Sequence, residues 1–399
     1  MQVFITFVAS AGAFFNLYQL QALFPQLNVL FGVSEAQAGP LNMATLLSLA
    51  LMALFSSALL GRISSYRLIY SAFLLMAVCN AALAMVSEQW QLLVVRLTQG
   101  ILIPLILSTL LRSARNTCAD KKATVISAYV TGTILGSVFS RFGSAWLVDS
   151  TGWQFGFMIA AALMLLVCLL VYSQKSLFHD GDSDSLPSAD GEQTAQTNIR
   201  HWYQLTGTDQ HRLKVLLVIG FCILFSQSSM FTAIGLRLAV EYQLSASESG
   251  LIYLTAALAV FFPAVALNLS RLYGQCIALL LISCLSVSAV LFSMVESLPL
   301  IAVAIAAFSV SAYMAQALTN YLISDLPAAA VRYGNGLYLF FYYLGGCSGA
   351  LLSAWLYSHY SWGYIVASVA AFQIVTASYV ARQVLASREK GIMKDRSVS

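Results

Sequence analysis

Apolar residues fill twelve long runs along the 399-residue chain, and short polar breaks separate these runs. A run of about 20 such residues crosses the roughly 30 Å hydrocarbon core of a bilayer as a helix, whereas barrel strands alternate in polarity over about ten residues. Segment 158–171 is apolar at every position, which favours helices. The pattern therefore predicts an all-α membrane protein with 12 transmembrane helices. The predicted spans are 2–24, 36–60, 66–86, 90–111, 123–148, 152–173, 215–236, 246–268, 272–294, 298–322, 333–356 and 361–381.

The composition agrees with a membrane protein, since 59% of the residues are hydrophobic and only 9% are charged. The first apolar run has neither a basic leader nor a small-residue cleavage site, so we expect it to remain as a span. The seven cysteines lie mostly inside apolar runs, without paired or metal-ligand spacing. We interpret them as small packing residues.

The basic residues are distributed unevenly among the predicted loops. If both termini are cytoplasmic, the inner loops and the tail hold nearly all of them, and the outer connections keep only Arg237. This asymmetry is the positive-inside rule, and it predicts cytoplasmic termini and an even number of spans. Because anionic lipid accounts for a basic tail at 382–399, we expect membrane lipid and no nucleic acid as a partner.

The chain repeats itself on either side of a polar segment. Residues 33–41, VSEAQAGPL, match LSASESGLI at 244–252, and SAWL at 144–147 recurs at 353–356. A duplicated six-helix unit suits a transporter with a site between its two halves. The predicted domains are therefore an amino-terminal bundle at 1–173, a cytoplasmic linker at 174–214, a carboxy-terminal bundle at 215–381 and a tail at 382–399.

Three segments carry a resemblance to a known family. They are RLTQG at 96–100, GTILGSVFSRFGSAWLVDSTGWQFGF at 132–157 and LQALFPQLNVLFGVSEAQAG at 20–39. Together they resemble the major facilitator superfamily, and RLTQG matches the RxxQG motif of bacterial drug and proton antiporters. The resemblance implies two six-helix bundles in the bacterial inner membrane, and export of a small amphipathic or sugar-like solute by alternating access, with protons as the coupling ion.

The chain also departs from the family pattern at three places. The loop GRISSYRL at 61–68 lacks the family's aspartate, and Gln154 stands where the family has an arginine. Ser137 lies near the place of the proline that marks the antiporter form of the fifth-span motif. The gating role that the family assigns to the loop is therefore not carried over to this sequence.

Arg96 and Arg141 are the charged residues well inside predicted spans, because each of the 16 carboxylates falls in a loop or near a span end. An unpaired arginine at mid-bilayer costs at least about 2.5 kcal/mol, so each should face the bundle interior or a wet cavity. Gln99 and Gly100 share the helix face of Arg96. For Arg96, two roles stay open: substrate or proton coupling, and bonding to backbone carbonyls that holds helices together.

Arg141 follows a row of small residues at four-residue spacing, Gly132, Gly136 and Ser140, which predicts close helix packing and a role in gating. The arginine either contacts substrate or snorkels towards the outer surface. Other polar side chains recur along single helix faces, where interhelical hydrogen bonding and ligand contact are both open. These further candidates are Tyr18, Gln21, Gln227, Tyr313, Gln316, Asn320 and Tyr338.

Several classes of function are disfavoured by the sequence. No Walker-type motif is present, so we do not expect transport driven by ATP within this chain. All four histidines lie in predicted loops, and we expect no cofactor, no bound metal and no enzymatic activity. The expected partners are a small-molecule substrate, lipid and protons, for a monomeric transporter. An importer or uniporter of a small organic anion is an alternative, since both in-span charges are positive. A non-transporting membrane sensor or assembly factor is the second alternative.

Overall fold

The protein is described by a computed structural model, which covers residues 1–60, 63–115, 117, 119–178 and 207–378. This part of the chain folds into helices. The amino-terminal helices are α1 Gln2–Tyr18, α2 Phe24–Phe31, α3 Glu35–Leu60, α4 Ser65–Met85, α5 Gln89–Arg115, α6 Ala119–Thr151 and α7 Trp153–Ser173. The carboxy-terminal helices are α8 Gly207–Val240, α9 Ala246–Leu254, α10 Pro263–Tyr273, α11 Gln275–Phe292, α12 Leu298–Ser324, α13 Ala328–His359 and α14 Trp362–Ser378.

Each predicted span corresponds to a helical segment in the described part of the chain. Among the described residues, nine helices are long and apolar enough to cross a membrane, and the bent pair α9 and α10 makes a tenth. The helices α1 and α14 are apolar but shorter, and α1 has 17 residues, the lower limit for a spanning helix. The prediction of an all-α membrane protein is confirmed.

The first predicted span, 2–24, is wrong at its carboxy-terminal end. The helix α1 ends at Tyr18, and a turn leads to the separate short helix α2, which has Pro25 in its first turn. The carbonyls of Asn16 and Leu17 accept hydrogen bonds from Arg96, 79 or 80 residues away along the chain. Side chains from other helices thus satisfy the end of α1, which hydropathy alone does not reveal.

The predicted span at 246–268 is bent rather than straight. The helix α9 continues as a 3-10 helix, Thr255–Phe261, and α10 then leaves at an angle of 44°. The bend falls at Pro263, which has no backbone N–H to donate and whose ring would clash with the preceding helical turn. The proline therefore accounts for the break.

The helices form two halves, α1–α7 and α8–α14, joined through residues 174–206. The helix α8 begins at Gly207, inside the segment predicted as linker. Residues 179–206, most of that predicted linker, and the predicted tail 382–399 lie outside the described residues. We name the end of the bundle where α7 ends and α8 begins the linker end, and the opposite end, which carries α2, the distal end.

Large apolar side chains cover much of the outer surface. On α7, Phe155 is 69% exposed, and Met158, Leu166 and Leu169 are exposed beside it. The opposite face of α7 is buried against α4 and contains Phe157 and Met164. An exposed apolar surface of this extent fits a hydrocarbon solvent and not water.

The two halves pack against each other along two helix pairs, α3 with α13 and α6 with α9. We name these the α3–α13 seam and the α6–α9 seam. In the first, a Cβ atom on Gly39 would lie 2.8 Å from the carbonyl oxygen of Ala350. In the second, a Cβ atom on Gly250 would lie 3.0 Å from the Cα atom of Phe142. A glycine therefore permits close backbone approach at both seams.

Candidate functional site at the interface of the two halves

Arg141 lies where the two halves meet, and its side chain is only 2% exposed. The guanidinium carbon lies 4.3 Å from the ring centroid of Tyr18 and 4.3 Å from that of Phe231. A third ring, that of Tyr253, lies 5.7 Å away. Tyr18 belongs to the amino-terminal half, and Phe231 and Tyr253 to the carboxy-terminal half. The cation is thus shared between aromatic faces of both halves, a contact worth about 2 kcal/mol when desolvated.

Hydrogen bonds fix the direction of the Arg141 side chain. Its Nε donates to Oε1 of Gln21 at 2.7 Å, and its Nη1 donates to the carbonyl oxygen of Ser137 at 2.5 Å. Among the described residues, Nη2 has no hydrogen-bond partner. We name Tyr18, Gln21, Ser137, Phe231 and Tyr253, the groups around this cation, the Arg141 cage.

The snorkelling alternative for Arg141 is wrong. A snorkelling side chain would extend its charged end to the surface, but this one is enclosed by rings and by two acceptors. The close approach of α9 to α6 and the ring of Phe231 from α8 provide the enclosure. The sequence could not indicate it, because Phe231 and Tyr253 lie in the other half of the chain.

Tyr313 extends the cage from α12. Its hydroxyl lies 2.7 Å from Oγ of Ser137, so a hydrogen bond between two hydroxyl groups also joins the two halves beside Arg141. Tyr342 and Tyr343 of α13 are buried within electrostatic reach of Tyr18 and Tyr313. The interface therefore combines a cation, an amide and phenol groups with large apolar ring surfaces.

Arg96 lies inside the amino-terminal half and is fully buried. Its Nη1 donates to the carbonyl oxygen of Asn16 at 2.6 Å and to Oε1 of Gln99 at 2.8 Å, and its Nη2 donates to the carbonyl oxygen of Leu17 at 2.5 Å. Gln99 also receives a hydrogen bond from Gln19 at 3.3 Å. All of these partners are neutral and belong to α1, α5 and the turn after α1.

The end of α1 explains how neutral groups of the described residues hold the Arg96 cation. Asn16 and Leu17 lie in the last turn of α1, where the free carbonyls carry the negative end of the helix dipole. Arg96 caps that end of α1. Tyr18 and Gln21, which belong to the Arg141 cage, lie at or just after the same helix end. Arg96 and Arg141 therefore both contact the residues at the end of α1.

The predicted packing residues lie at helix contacts within the amino-terminal half. Gly100 of α5 faces Thr45 and Ser48 of α3, while Gly132 and Gly136 of α6 face α1. Ser140 is fully buried, and its hydroxyl donates to the carbonyl oxygen of Ser137 at 2.7 Å. The close contacts at Gly132 and Gly136 hold α6, and with it Arg141, against α1.

The remaining candidates are scattered. Gln227 is buried in α8, and Tyr338 is buried with its ring against Gly220. Gln316 is partly buried, and Asn320 is exposed near the linker end of α12. The structure therefore brings Tyr18, Gln21 and Tyr313 to Arg141 but does not bring the rest of the α12 stripe there.

A third buried arginine was not predicted. Arg237, expected in an outer connection, lies in the last turn of α8 and is 4% exposed. Its Nε pairs with Oε2 of Glu241 at 2.8 Å, and its guanidinium lies 4.9 Å from the ring of Trp362. Tyr357 donates to the other oxygen of Glu241 at 3.1 Å. The i,i+4 spacing of Arg237 and Glu241 is the one signal in the sequence that indicates such a pair.

Two halves of apolar helices, with a buried arginine and phenols at their interface, make up a multi-pass membrane protein. Its family and its relatives identify it as a membrane transporter and not an enzyme. The chain belongs to the Major Facilitator Superfamily, since the model of that family matches residues 3–349.

Similar proteins agree with this assignment. An uncharacterized transporter of Buchnera aphidicola subsp. Schizaphis graminum (strain Sg) is 21% identical over 361 residues, which are 89% of this chain and 84% of the relative. A bacterial homologue of the human lysosomal transporter Spinster, solved inward-facing and unoccupied, superposes with a TM-score of 0.75 at 14% identity, covering 95% of each chain. A mutant of the nucleoside transporter NupG gives 0.72 at 14% identity, covering 96% of this chain and 99% of that one.

Proposed function

We propose that the protein is a secondary active transporter in which the two halves rock about a substrate site at the Arg141 cage. One observation carries the proposal: the guanidinium of Arg141 is held at 4.3 Å by Tyr18 of one half and at 4.3 Å by Phe231 of the other. Any motion that separates the halves at this depth must release one of these rings. The cage is therefore suited to couple the position of the halves to what binds between them.

The solute that fits this chemistry is small and amphipathic. Rings such as Tyr18 and Phe231 offer faces for an apolar or sugar-like surface, while Gln21, Tyr313 and Arg141 offer donors and an acceptor. We propose export from the cytoplasm across a bacterial inner membrane, by a monomer with both termini cytoplasmic. The resemblance of RLTQG and the distribution of basic residues support this direction and orientation.

Proton antiport is the coupling that the same resemblance supports. Among the described residues, Arg96 of RLTQG bonds to neutral acceptors, so it would act on coupling through the end of α1 and not through a carboxylate partner. A collapse of transport by an uncoupler in inverted vesicles is the expected result. Transport that is independent of the proton gradient would exclude proton antiport but would still be compatible with alternating access.

A second candidate is the transport of a small organic anion by import or uniport. It is favoured by Nη2 of Arg141, which has no partner among the described residues, and by the absence of a carboxylate among the residues of the cage. An arginine with a free terminal nitrogen suits a carboxylate or phosphate group.

The two candidates are separated by a ligand screen on the purified protein. Neutral glycosides, amphipathic amines and carboxylates are tested for a rise in the unfolding midpoint, since a ligand at 100 times its Kd stabilises by about 2.7 kcal/mol. Ligands found in this way are then assayed for transport in vesicles. The variant Arg141→Gln removes the positive charge at this position, and the variant Arg141→Lys keeps it.

An anion substrate should lose stabilisation in Arg141→Gln and regain part of it in Arg141→Lys. A neutral amphipathic substrate should be weakened in both variants, because lysine does not reproduce the planar stack between the rings. Transport that Arg141→Gln leaves unchanged, or a protein that moves no solute in the panel, would contradict the proposal.

A further inference from the structure

Asp149, near the distal end of α6, joins the two halves through a backbone N–H group. Its Oδ2 accepts a hydrogen bond at 2.7 Å from the backbone nitrogen of Ser247, in the first turn of α9. Its Oδ1 accepts a hydrogen bond from Nε2 of Gln26, on α2. One carboxylate of the amino-terminal half is thus oriented by its own half and bonded to the start of a helix in the other.

The start of α9 is built to receive a negative charge. The first N–H groups of a helix have no partner within the helix and carry the positive end of its dipole. Ser245 caps α9, and its backbone nitrogen donates to Oε2 of Glu248 at 2.8 Å in a capping box. The capping box leaves the N–H of Ser247 for an outside acceptor, and Asp149 provides it.

We propose that Asp149 is a positioning residue for transport, and that its bond to the first turn of α9 holds the distal ends of the two halves together. We name Asp149, Gln26 and Ser247 the distal latch. The inference rests on the proposed alternating access, in which the halves separate at the distal end in one state. Opening then requires the carboxylate to leave the helix terminus, so the latch sets the equilibrium between the two states.

The repeat supports a role beyond general packing. With the offset of 209 between SAWL at 144–147 and at 353–356, Asp149 corresponds to Ser358. Ser358 lines a cleft of about 590 Å³ together with His359 and the start of α3 at Ser34, Glu35 and Ala36. The carboxylate contact thus exists at one of the two related places, and a cleft lies at the other. Duplication alone does not explain the latch.

Hydrogen exchange by mass spectrometry on the purified full-length protein tests the proposal without a known substrate. Three peptides are followed: the start of α9 at 246–254, and the distal ends of the other seam at 35–42 and 350–358. Exchange of protected amides reports the population of open forms. A charge at a helix terminus is typically worth a few tenths to 1 kcal/mol, so Asp149→Asn should speed exchange at all three about two- to five-fold.

Glu248→Gln is the matched control, because it removes a carboxylate from the same helix terminus without touching the other half. It should speed exchange at 246–254 alone. Asp149→Glu keeps the charge and should restore the protection that Asp149→Asn loses. Ser247→Pro removes the donor from the opposite side, at a first-turn position that tolerates proline, and should reproduce Asp149→Asn at 35–42 and 350–358.

Faster exchange at 246–254 with no change at 35–42 or 350–358, in both Asp149→Asn and Ser247→Pro, would overturn the latch and leave Asp149 as a local helix cap. A failure of the proposed function would give a different experimental result. In that case the wild-type protein moves no solute in vesicles, while the three peptides still decide whether Asp149 links the halves.

Discussion

The two seams between the halves differ in chemistry although both belong to a repeated unit. In the α3–α13 seam the close contacts are between small residues, with Gly39 against Ala350 and Ala354. In the α6–α9 seam, Gly250 lies against Phe142 in a similar way, but Arg141 and Asp149 add charged contacts to α8 and α9. Among the described residues, close packing is therefore common to both seams, whereas the charged contacts named here belong to the α6–α9 seam.

The two seams should therefore respond differently to substitutions, salt and ligands. Packing of small residues depends on shape and is insensitive to charge, salt or an ionic ligand. A cation between rings and a carboxylate at a helix terminus respond to all three. We therefore expect ligands to act through the α6–α9 seam and steric substitutions to act most strongly on the α3–α13 seam.

The largest effect is expected for Gly39→Ala. The added methyl group would lie 2.8 Å from the Ala350 carbonyl oxygen and 2.9 Å from the Ala354 side chain, so α13 must move away from α3. Overpacking of this kind costs about 1–3 kcal/mol, and we expect a lower unfolding midpoint in detergent and slower transport.

Gly336→Ala is the control for that substitution. It adds the same methyl group to α13 at a position where, among the described residues, no heavy atom beyond the adjoining helix backbone lies within 4 Å. A helix-interior alanine should stabilise by about 0.5–1 kcal/mol relative to glycine. If Gly39→Ala behaved like Gly336→Ala, the α3–α13 seam would not depend on close packing.

A smaller effect is expected for Phe231→Leu, which acts on the α6–α9 seam. Phe231 and Phe308 are both almost fully buried rings of the carboxy-terminal half, but only Phe231 lies over Arg141. Phe231→Leu should therefore lower the free energy of unfolding by about 0.5–2 kcal/mol more than Phe308→Leu, the range of a cation–π contact. Equal losses in chemical denaturation would show that the Arg141 contact contributes nothing to stability.

The helices were predictable because each is an apolar run bounded by polar residues. The helix at Ser65–Met85 was predicted at 66–86, and Leu298–Ser324 at 298–322. The break after Tyr18 was not predictable, because it depends on a carbonyl-to-Arg96 pairing across about 80 residues. Local hydropathy carries no information on such a distant partner.

The candidate site was predictable in part. Arg141 stood out as a charge in an apolar run, and Tyr18 and Gln21 stood out as polar residues in another. Their meeting depends on how α1 packs against α6, and the ring of Phe231 reaches them only when the halves assemble. One phenylalanine among 23 gives no sign in the sequence that it faces a cation.

A further, smaller effect is expected for Tyr253→Phe. The Tyr253 hydroxyl donates to the carbonyl oxygen of Phe231 at 2.6 Å, which joins the end of α9 to α8 within the Arg141 cage. Its loss should cost about 1 kcal/mol of unfolding free energy. Tyr338→Phe is the control, because the Tyr338 hydroxyl is buried without a hydrogen-bond partner among the described residues, and its removal should be neutral or stabilising. If Tyr338→Phe lowered the unfolding free energy as much as Tyr253→Phe, the loss would come from removing any buried hydroxyl and not from breaking the hydrogen bond between Tyr253 and Phe231.

The smallest effect is that of salt on the distal end. Asp149 is exposed, so its attraction to the start of α9 is screened as the Debye length falls from about 30 Å at 0.01 M to about 3 Å at 1 M salt. We expect exchange at 35–42 and 350–358 to rise less than about two-fold over this range in the wild type, because only part of the interaction is long-range. Glu248→Gln should keep this dependence and Asp149→Asn should lose most of it. An equal salt response in wild type and Asp149→Asn would mean that the distal contact is held by shape at both seams, and the contrast between them would disappear.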